Sequence, residues 1–181
     1  MKLNYLVKGL PGHPLHPPLT DATIGIYTAA TAFGVLSALG VSEANTATAW
    51  WLALILGLIV TGATALTGFI DWLSITWGTP LWRTATAHMF SMLTATVFFL
   101  LAAVFGHSGY VDAVVTSGSL ILTLAGFGLL TLGGWLGGTV VFVHGMRVLN
   151  LVDEPALRAV APVATPQKQA AAGEPSRQPE A

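Results

Sequence analysis

The chain has 181 residues and a net charge of −1, with 54% hydrophobic and only 8% charged residues. Its mean hydropathy is +0.72. Because an average soluble domain is about 25% charged, this composition excludes an ordinary soluble domain and predicts a polytopic protein of the lipid bilayer. No basic patch suggests a nucleic acid as partner. Cysteine is absent, which excludes disulfides and a cysteine-ligated iron–sulfur cluster in this chain.

Four apolar segments follow one another along the chain. Each reaches the roughly 20 residues that a helix needs to span a bilayer. None contains an internal proline. The pattern therefore predicts an all-α, four-helix transmembrane bundle with spans at residues 20–39, 48–70, 84–105 and 117–143.

Composition divides the chain into three parts. Residues 1–19 form a polar lead that is rich in proline and histidine, and residues 20–150 form the transmembrane domain. Residues 151–181 are dominated by Ala, Pro, Gln and Glu, which cannot bury enough apolar surface to fold alone. We therefore expect a disordered tail there.

The basic residues predict how the bundle is oriented. With four spans, both termini and the central loop lie on one side of the membrane, and all seven basic residues fall on that side. The positive-inside rule then places both termini in the cytoplasm and the protein in the inner (cytoplasmic) membrane. The seven residues are Lys2, Lys8, Arg83, Arg147, Arg158, Lys168 and Arg177.

The lead carries an unusual motif, His13-Pro-Leu-His16-Pro-Pro, immediately before the first span. Three prolines stiffen the backbone and restrict where the two imidazoles can point. This pattern favours a role for at least one of the two histidines. We expect Thr20 or Asp21 to cap the first turn of the following helix.

Three further ionisable residues lie close to the ends of spans on the same side. Asp71 closes the second span, His88 lies about one turn inside the third, and His144 lies near the end of the fourth. At about 1.5 Å per residue, His88 and His144 reach similar shallow depths. Ionisable groups in membrane helices face the bundle interior or a cavity. The pattern predicts a cluster of histidines and aspartate at the cytoplasmic end.

Four sequence motifs resemble a bacterial membrane family known as domain of unknown function 2231. They are Gly-His-Pro-Leu-His-Pro at 12–17, Gly-Phe-Ile-Asp-Trp at 68–72, His88, and Gly-Gly-Thr-Val-Val-Phe-Val-His-Gly at 137–145. The resemblance covers roughly residues 10–150. It implies a four-helix integral membrane domain, and some relatives look like the membrane part of proteins with a Rieske iron–sulfur domain. The resemblance thus hints at redox work.

Our first hypothesis is a b-type haem that carries electrons in the membrane. Histidine is a common axial ligand of haem, and helical bundles build cofactor sites from side chains on facing helices. We predict His88 and His144 as the axial ligands. The further residues predicted around the haem, as an alternative ligand or as partners of the propionates, are His13, His16, Arg83 and Arg147.

Two alternatives stay open. One is a non-haem site for zinc, iron or copper, because neutral imidazoles with one carboxylate suit these metals. Its predicted ligands are His13, His16, His88, His144 and Asp71. The other alternative is a structural or partner-binding membrane subunit without a cofactor. A redox partner such as an iron–sulfur protein, and a homo-oligomer, are compatible with the first hypothesis. The chain offers no credible pair of nucleophile and base, so we do not expect an enzyme.

Overall fold

The computed structural model describes residues 5–149 and 153–162. Within them, four helices are long and apolar enough to cross a membrane, which confirms the all-α bundle. The fourth ends in a π-helical turn, Thr139–Val143. The four are α2 (His16–Ala38), α3 (Glu43–Trp72), α4 (Pro80–Phe105) and α6 (Ser117–Gly138).

Short elements complete the described chain. A single helical turn, α1 (Tyr5–Lys8), leads into two short antiparallel strands, β1 (Gly9–Leu10) and β2 (His13–Pro14). The lead therefore folds back on itself before the first span. The helices α5 (His107–Val111) and α7 (Ala156–Ala159) lie in the α4–α6 connection and beyond the bundle.

The first span begins earlier than predicted. Helix α2 starts at His16, so Pro17 and Pro18 occupy its first turn, where a missing N–H breaks no helical hydrogen bond. The Thr20 hydroxyl donates to the carbonyl of His16 at 3.0 Å, inside the helix. The expectation that Thr20 or Asp21 caps this helix is therefore wrong, because the Pro-rich motif is itself helical.

The predicted disordered tail lies largely outside the described residues, which omit 150–152 and 163–181. The described part, 153–162, contains α7 and an ion pair between Arg158 and Glu154 at 3.7 Å.

The bundle consists of two helical hairpins. Helices α2 and α3 pack along each other as the first hairpin, and α4 and α6 do the same as the second, while contacts between the hairpins are sparser. Tyr27 stacks on Phe99 across the hairpin interface, with ring centres 3.9 Å apart. Further along, the Trp50 indole N–H donates to the Thr123 hydroxyl at 3.1 Å. These buried contacts hold the hairpins together over one half of their length.

The two hairpins repeat the same set of contacts. His16, Tyr27 and Gly34 of α2 correspond to His88 and Phe99 of α4 and to Gly106 directly after it, each 72 positions later. Gly57 packs under the ring of Tyr27, as Gly126 packs under that of Phe99. Gly68 likewise packs under His16, as Gly137 packs under His88. Both glycine pairs of α3 and α6 are 69 positions apart. The equivalent contacts imply an approximate two-fold axis along the bundle, with one hairpin on each side.

Candidate cofactor site between the hairpins

A cavity of about 650 Å³ separates the two hairpins at the end of the bundle where α2 begins. All four long helices line it, and most of the lining side chains are apolar. Its floor is the stacked pair at the centre of the bundle, of which Tyr27 lines the cavity. A volume of this size accommodates a cofactor-sized ligand. Two half-buried histidines line it from opposite hairpins, His16 and His88.

His16 projects from the first turn of α2 onto α3. Its Nδ1 lies 3.1 Å from the carbonyl oxygen of Thr64 and 3.3 Å from the hydroxyl of Thr67. An Nδ1–H that donates to a carbonyl fixes the tautomer and leaves Nε2 as the nitrogen with a free lone pair. The Thr20 hydroxyl, at 3.5 Å from Nε2, is committed to the helix carbonyl of His16.

His88 repeats this arrangement in the second hairpin. Its Nδ1 lies 2.7 Å from the carbonyl oxygen of Gly133 on α6. Thr64 and Gly133 are equivalent positions, each one turn before the glycine that packs against the imidazole. Both rings are therefore oriented by the same hydrogen bond in the two hairpins, and Nε2 of His88 has no hydrogen-bond partner among the described residues.

The two imidazoles meet across the hairpin interface. Their ring centres are 6.5 Å apart and their planes make an angle of 77°. Glycine makes this approach possible on both sides. A Cβ atom at Gly68 would lie 2.5 Å from Cε1 of His16, and one at Gly137 would lie 3.0 Å from Cε1 of His88. The side chain that faces His88 is thus that of His16.

An ion pair lies at the outer mouth of the cavity. The Arg147 guanidinium pairs with the carboxylate of Asp71, which is buried at the end of α3, and both residues line the cavity. Arg147 also donates to the carbonyl of Lys8 at 3.3 Å. The chain reaches this position because the π-helical turn ends α6, and Gly145 and Arg147 adopt positive φ angles of 66° and 59°. Such turns are frequent at functional sites.

The other predicted site residues lie elsewhere. The Nε2 atom of His144 is 3.0 Å from the hydroxyl of Thr84, which lies one turn nearer the beginning of α4 than His88. His13 is exposed on the strand pair. Arg83 is exposed in the first turn of α4 and is not among the residues that line the cavity. The predicted depth of His144 agrees only approximately with that of His88.

The predicted metal-ligand set is not assembled. Within residues 5–149 and 153–162, no three side chains of His, Cys, Asp or Glu are grouped so as to hold a metal ion. Only His16 and His88 of the predicted set face each other. The carboxylate that was expected to join them, Asp71, is occupied by Arg147.

Sequence reasoning missed the pairing of His16 with His88, although a signal was present. The spacing of 11 residues from His16 to Tyr27 recurs from His88 to Phe99. The same spacing separates the two packed glycines within α3, and again the two within α6. A search for a parallel repeat in the sequence would have placed the two histidines at equivalent positions. It would also have identified Gly68 and Gly137 as site residues.

The fold and this site define a polytopic membrane protein built from two equivalent helical hairpins. The chain belongs to the family described as predicted membrane protein, domain of unknown function 2231, whose model matches residues 12–150. This confirms the family that the four motifs resemble. No curated protein and no solved structure matches the chain.

Proposed function

We propose that this protein binds a b-type haem between its two hairpins and carries electrons in the membrane. The observation that carries the proposal is the pair of facing imidazoles, one from each hairpin, at a ring-centre distance of 6.5 Å. The axial ligands that we now propose are His16 and His88, in place of His88 and His144.

The distance suits a single metal atom between the rings. Two metal–nitrogen bonds of about 2 Å each, together with the distance from each nitrogen to its ring centre, place two axial imidazoles roughly 6 Å apart. Both Nδ1 atoms hydrogen-bond to backbone carbonyls, which is the usual outer partner of a metal-bound histidine. Their Nε2 atoms are then the metal ligands.

A haem fits these residues better than a bare metal ion. Zinc, iron or copper held by protein alone requires three or four ligands, and the described residues group no three such side chains. A porphyrin supplies four ligands itself, so two histidines complete its coordination. The mostly apolar cavity, lined by all four long helices, suits a flat macrocycle. The approximate two-fold axis also matches the approximate symmetry of a porphyrin.

The acidic groups of a haem would lie towards Arg147. This guanidinium lines the cavity at its outer mouth and is 30% exposed. Its donors are shared between Asp71 and the carbonyl of Lys8, and the fork geometry of arginine allows it to hold a carboxylate as well. We do not assign this role to Arg83, because it lies outside the cavity lining.

We further propose that the site lies at the cytoplasmic end of an inner-membrane protein. Lys8, Arg83 and Arg147 belong to that end of the bundle, which supports the orientation expected from the positive-inside rule. A single haem near one surface suits exchange of electrons with a partner there, such as an iron–sulfur protein.

The test is a reduced-minus-oxidised visible spectrum of detergent-purified protein from a haem-replete host. We expect a Soret band and a sharp α band, which are typical of a haem with two axial histidines. His16→Ala and His88→Ala should each abolish the low-spin spectrum. His144→Ala is the matched control, because that imidazole contacts Thr84 instead, and it should retain both bands.

Two results would contradict the proposal. A folded wild-type protein without a Soret band would exclude the haem and favour a structural or partner-binding subunit. Loss of the spectrum in His144→Ala but not in His16→Ala would instead favour His88 and His144 as the axial ligands. Metal analysis on the same sample should give one iron per chain.

A further inference from the structure

The two facing imidazoles are held unequally, although they occupy equivalent positions. The Nδ1–H of His88 is directed to the Gly133 carbonyl oxygen at 2.7 Å. The Nδ1–H of His16 is shared between the Thr64 carbonyl oxygen at 3.1 Å and the Thr67 hydroxyl at 3.3 Å. The Thr67 hydroxyl also donates to that Thr64 carbonyl, at 2.9 Å, and so competes for it. Because the outer hydrogen bond of a histidine raises its basicity as a ligand, His16 is the weaker ligand of the two.

The two histidines also differ in how firmly their helices hold them. His16 is the first residue of α2, and the preceding Leu15 provides no side-chain cap. His88 lies more than two turns inside α4, which begins at Pro80 and is capped by the Thr79 side chain. Helix ends open more readily than helix interiors. His16 can therefore move away from the cavity with less loss of structure than His88.

A hydroxyl lies beside the Nε2 atom of His16, and the equivalent position beside His88 carries a thioether. Thr20 Oγ1 is 3.5 Å from Nε2 of His16. The corresponding position, 72 residues later, is Met92, which packs on Gly133. The Thr20 hydroxyl donates to the His16 carbonyl at 3.0 Å, and it can turn to donate to Nε2 when that nitrogen is free. A thioether has no hydrogen to donate, so Met92 cannot do the same for a released His88.

We propose that His16 is the exchangeable ligand of the haem, and that a neutral diatomic gas such as carbon monoxide or nitric oxide binds the ferrous iron in its place. The inference rests on the proposed haem and adds gas binding to its electron transfer. The observation that carries it is the Thr20 hydroxyl beside Nε2 of His16. A neutral gas enters a mostly apolar cavity without the desolvation cost that an anion such as cyanide would meet there.

The exchange balances without any transfer of electrons or protons. The bond from Nε2 of His16 to the iron breaks, and this nitrogen keeps the electron pair of that bond. The carbon of carbon monoxide brings an electron pair of its own, so the oxidation state does not change. The Thr20 hydroxyl turns from the His16 carbonyl to Nε2, and that carbonyl keeps its backbone hydrogen bond within α2. His88 remains the ligand on the opposite face.

The first experiment titrates the dithionite-reduced protein with carbon monoxide and follows the Soret band. We expect saturable binding to the wild-type protein. Thr20→Val should weaken this binding roughly three- to tenfold, the range for one neutral hydrogen bond, because the released imidazole loses its partner. Thr20→Ser keeps the hydroxyl and should bind carbon monoxide with an affinity close to that of the wild type.

Met92→Leu is the matched control for Thr20→Val. It changes the equivalent position beside His88 without adding or removing a hydrogen-bond donor, and it should leave the affinity for carbon monoxide unchanged. Neither variant should alter the spectrum of the ferrous protein in the absence of the gas, since both histidines are then bound. That spectrum reports separately whether each variant still folds around its haem.

The second experiment identifies the displaced histidine by hydrogen exchange and mass spectrometry of the ferrous protein in detergent, under argon and under carbon monoxide. Peptides that cover residues 15–23 should exchange severalfold faster under carbon monoxide, because the start of α2 loses its attachment to the iron. Peptides that cover residues 84–92 should exchange equally under both gases. Pro17 and Pro18 have no amide hydrogen, so the signal comes from the residues around them.

The outcomes separate this inference from the haem proposal. A Soret band that does not respond to carbon monoxide would overturn the exchange and leave the haem in place. Equal affinities in Thr20→Val and the wild type would overturn the role of the hydroxyl. Unchanged exchange in residues 15–23, or faster exchange in residues 84–92 instead, would show that His16 is not the ligand displaced. The absence of a Soret band in the wild-type protein would defeat the haem proposal itself.

Discussion

At the scale of single residues, the glycines determine whether the two imidazoles can meet. Gly68 and Gly137 each present bare backbone to a histidine ring that is already fixed by a hydrogen bond to a carbonyl. The imidazole has little freedom to move away, because rotation would break that bond. A methyl group at either position therefore acts directly on the geometry of the pair.

We predict that Gly68→Ala displaces His16 and destabilises the protein by about 1–3 kcal/mol, the usual cost of overpacking. The added Cβ would lie only 2.5 Å from the ring, compared with 3.0 Å for Gly137→Ala, which should cost less. Gly62→Ala is the control, because its Cβ position is open, and it should be neutral or stabilise the helix. Thermal unfolding in detergent ranks the stabilities of these variants. Equal losses of stability in Gly68→Ala and Gly62→Ala would contradict the prediction.

Which histidines pair could not be read from depth alone. Matched depth favoured His88 with His144, but depth says nothing about which helices face each other. The proline-rich motif also concealed the helical position of His16, because prolines in a helical first turn look like a linker in the sequence. Polar character and position near a span end were sufficient to single out Asp71 and Arg147, which pair at the outer mouth of the cavity.

At the scale of elements, the hairpins are strongly packed within themselves and joined to each other by a few large side chains. In lipid, helix association depends on close packing and interhelical hydrogen bonds more than on the hydrophobic effect. The stack of Tyr27 on Phe99 and the bond from Trp50 to Thr123 supply both. The cavity occupies the other half of the interface.

We predict that Phe99→Ala weakens the contact between hairpins and lowers the free energy of unfolding by about 3 kcal/mol, a typical value for a buried aromatic ring. Phe99 is fully buried, whereas Phe90 on the same helix is 62% exposed. In mixed micelles, Phe90→Ala should therefore lower the free energy of unfolding much less. If denaturant titrations gave the same loss for both variants, the stack would not be what joins the hairpins.

The helices themselves were predictable from composition, since all four spans were found within a few residues of their observed limits. Helix α3 extends beyond its predicted span at both ends, from Glu43 to Trp72, and α4 begins before its predicted span, at Pro80. Thr79 explains the second case, because its side chain accepts from the Trp82 N–H at 3.2 Å and starts the helix before the hydrophobic pattern does. How the hairpins pair was not predictable without recognising the repeat.

At the scale of the whole molecule, the proposed orientation can be tested cleanly because the chain has no cysteine. We predict that Ser42→Cys, in the exposed α2–α3 connection, reacts with a membrane-impermeant maleimide in intact spheroplasts. Thr76→Cys, in the exposed connection between α3 and α4, should react only after the membrane is opened. The parent chain controls for background labelling, and the reverse pattern would place the termini outside.

The approximate two-fold axis has a consequence for how such a site can change. Two identical hairpins, related by rotation, would necessarily present identical residues to the cavity from both sides. Any substitution on one side would then be repeated on the other. Joining the hairpins in a single chain removes that constraint. Asp21 and Gly138 can therefore line the cavity while Leu93 and Phe69 stand at the equivalent positions of the repeat.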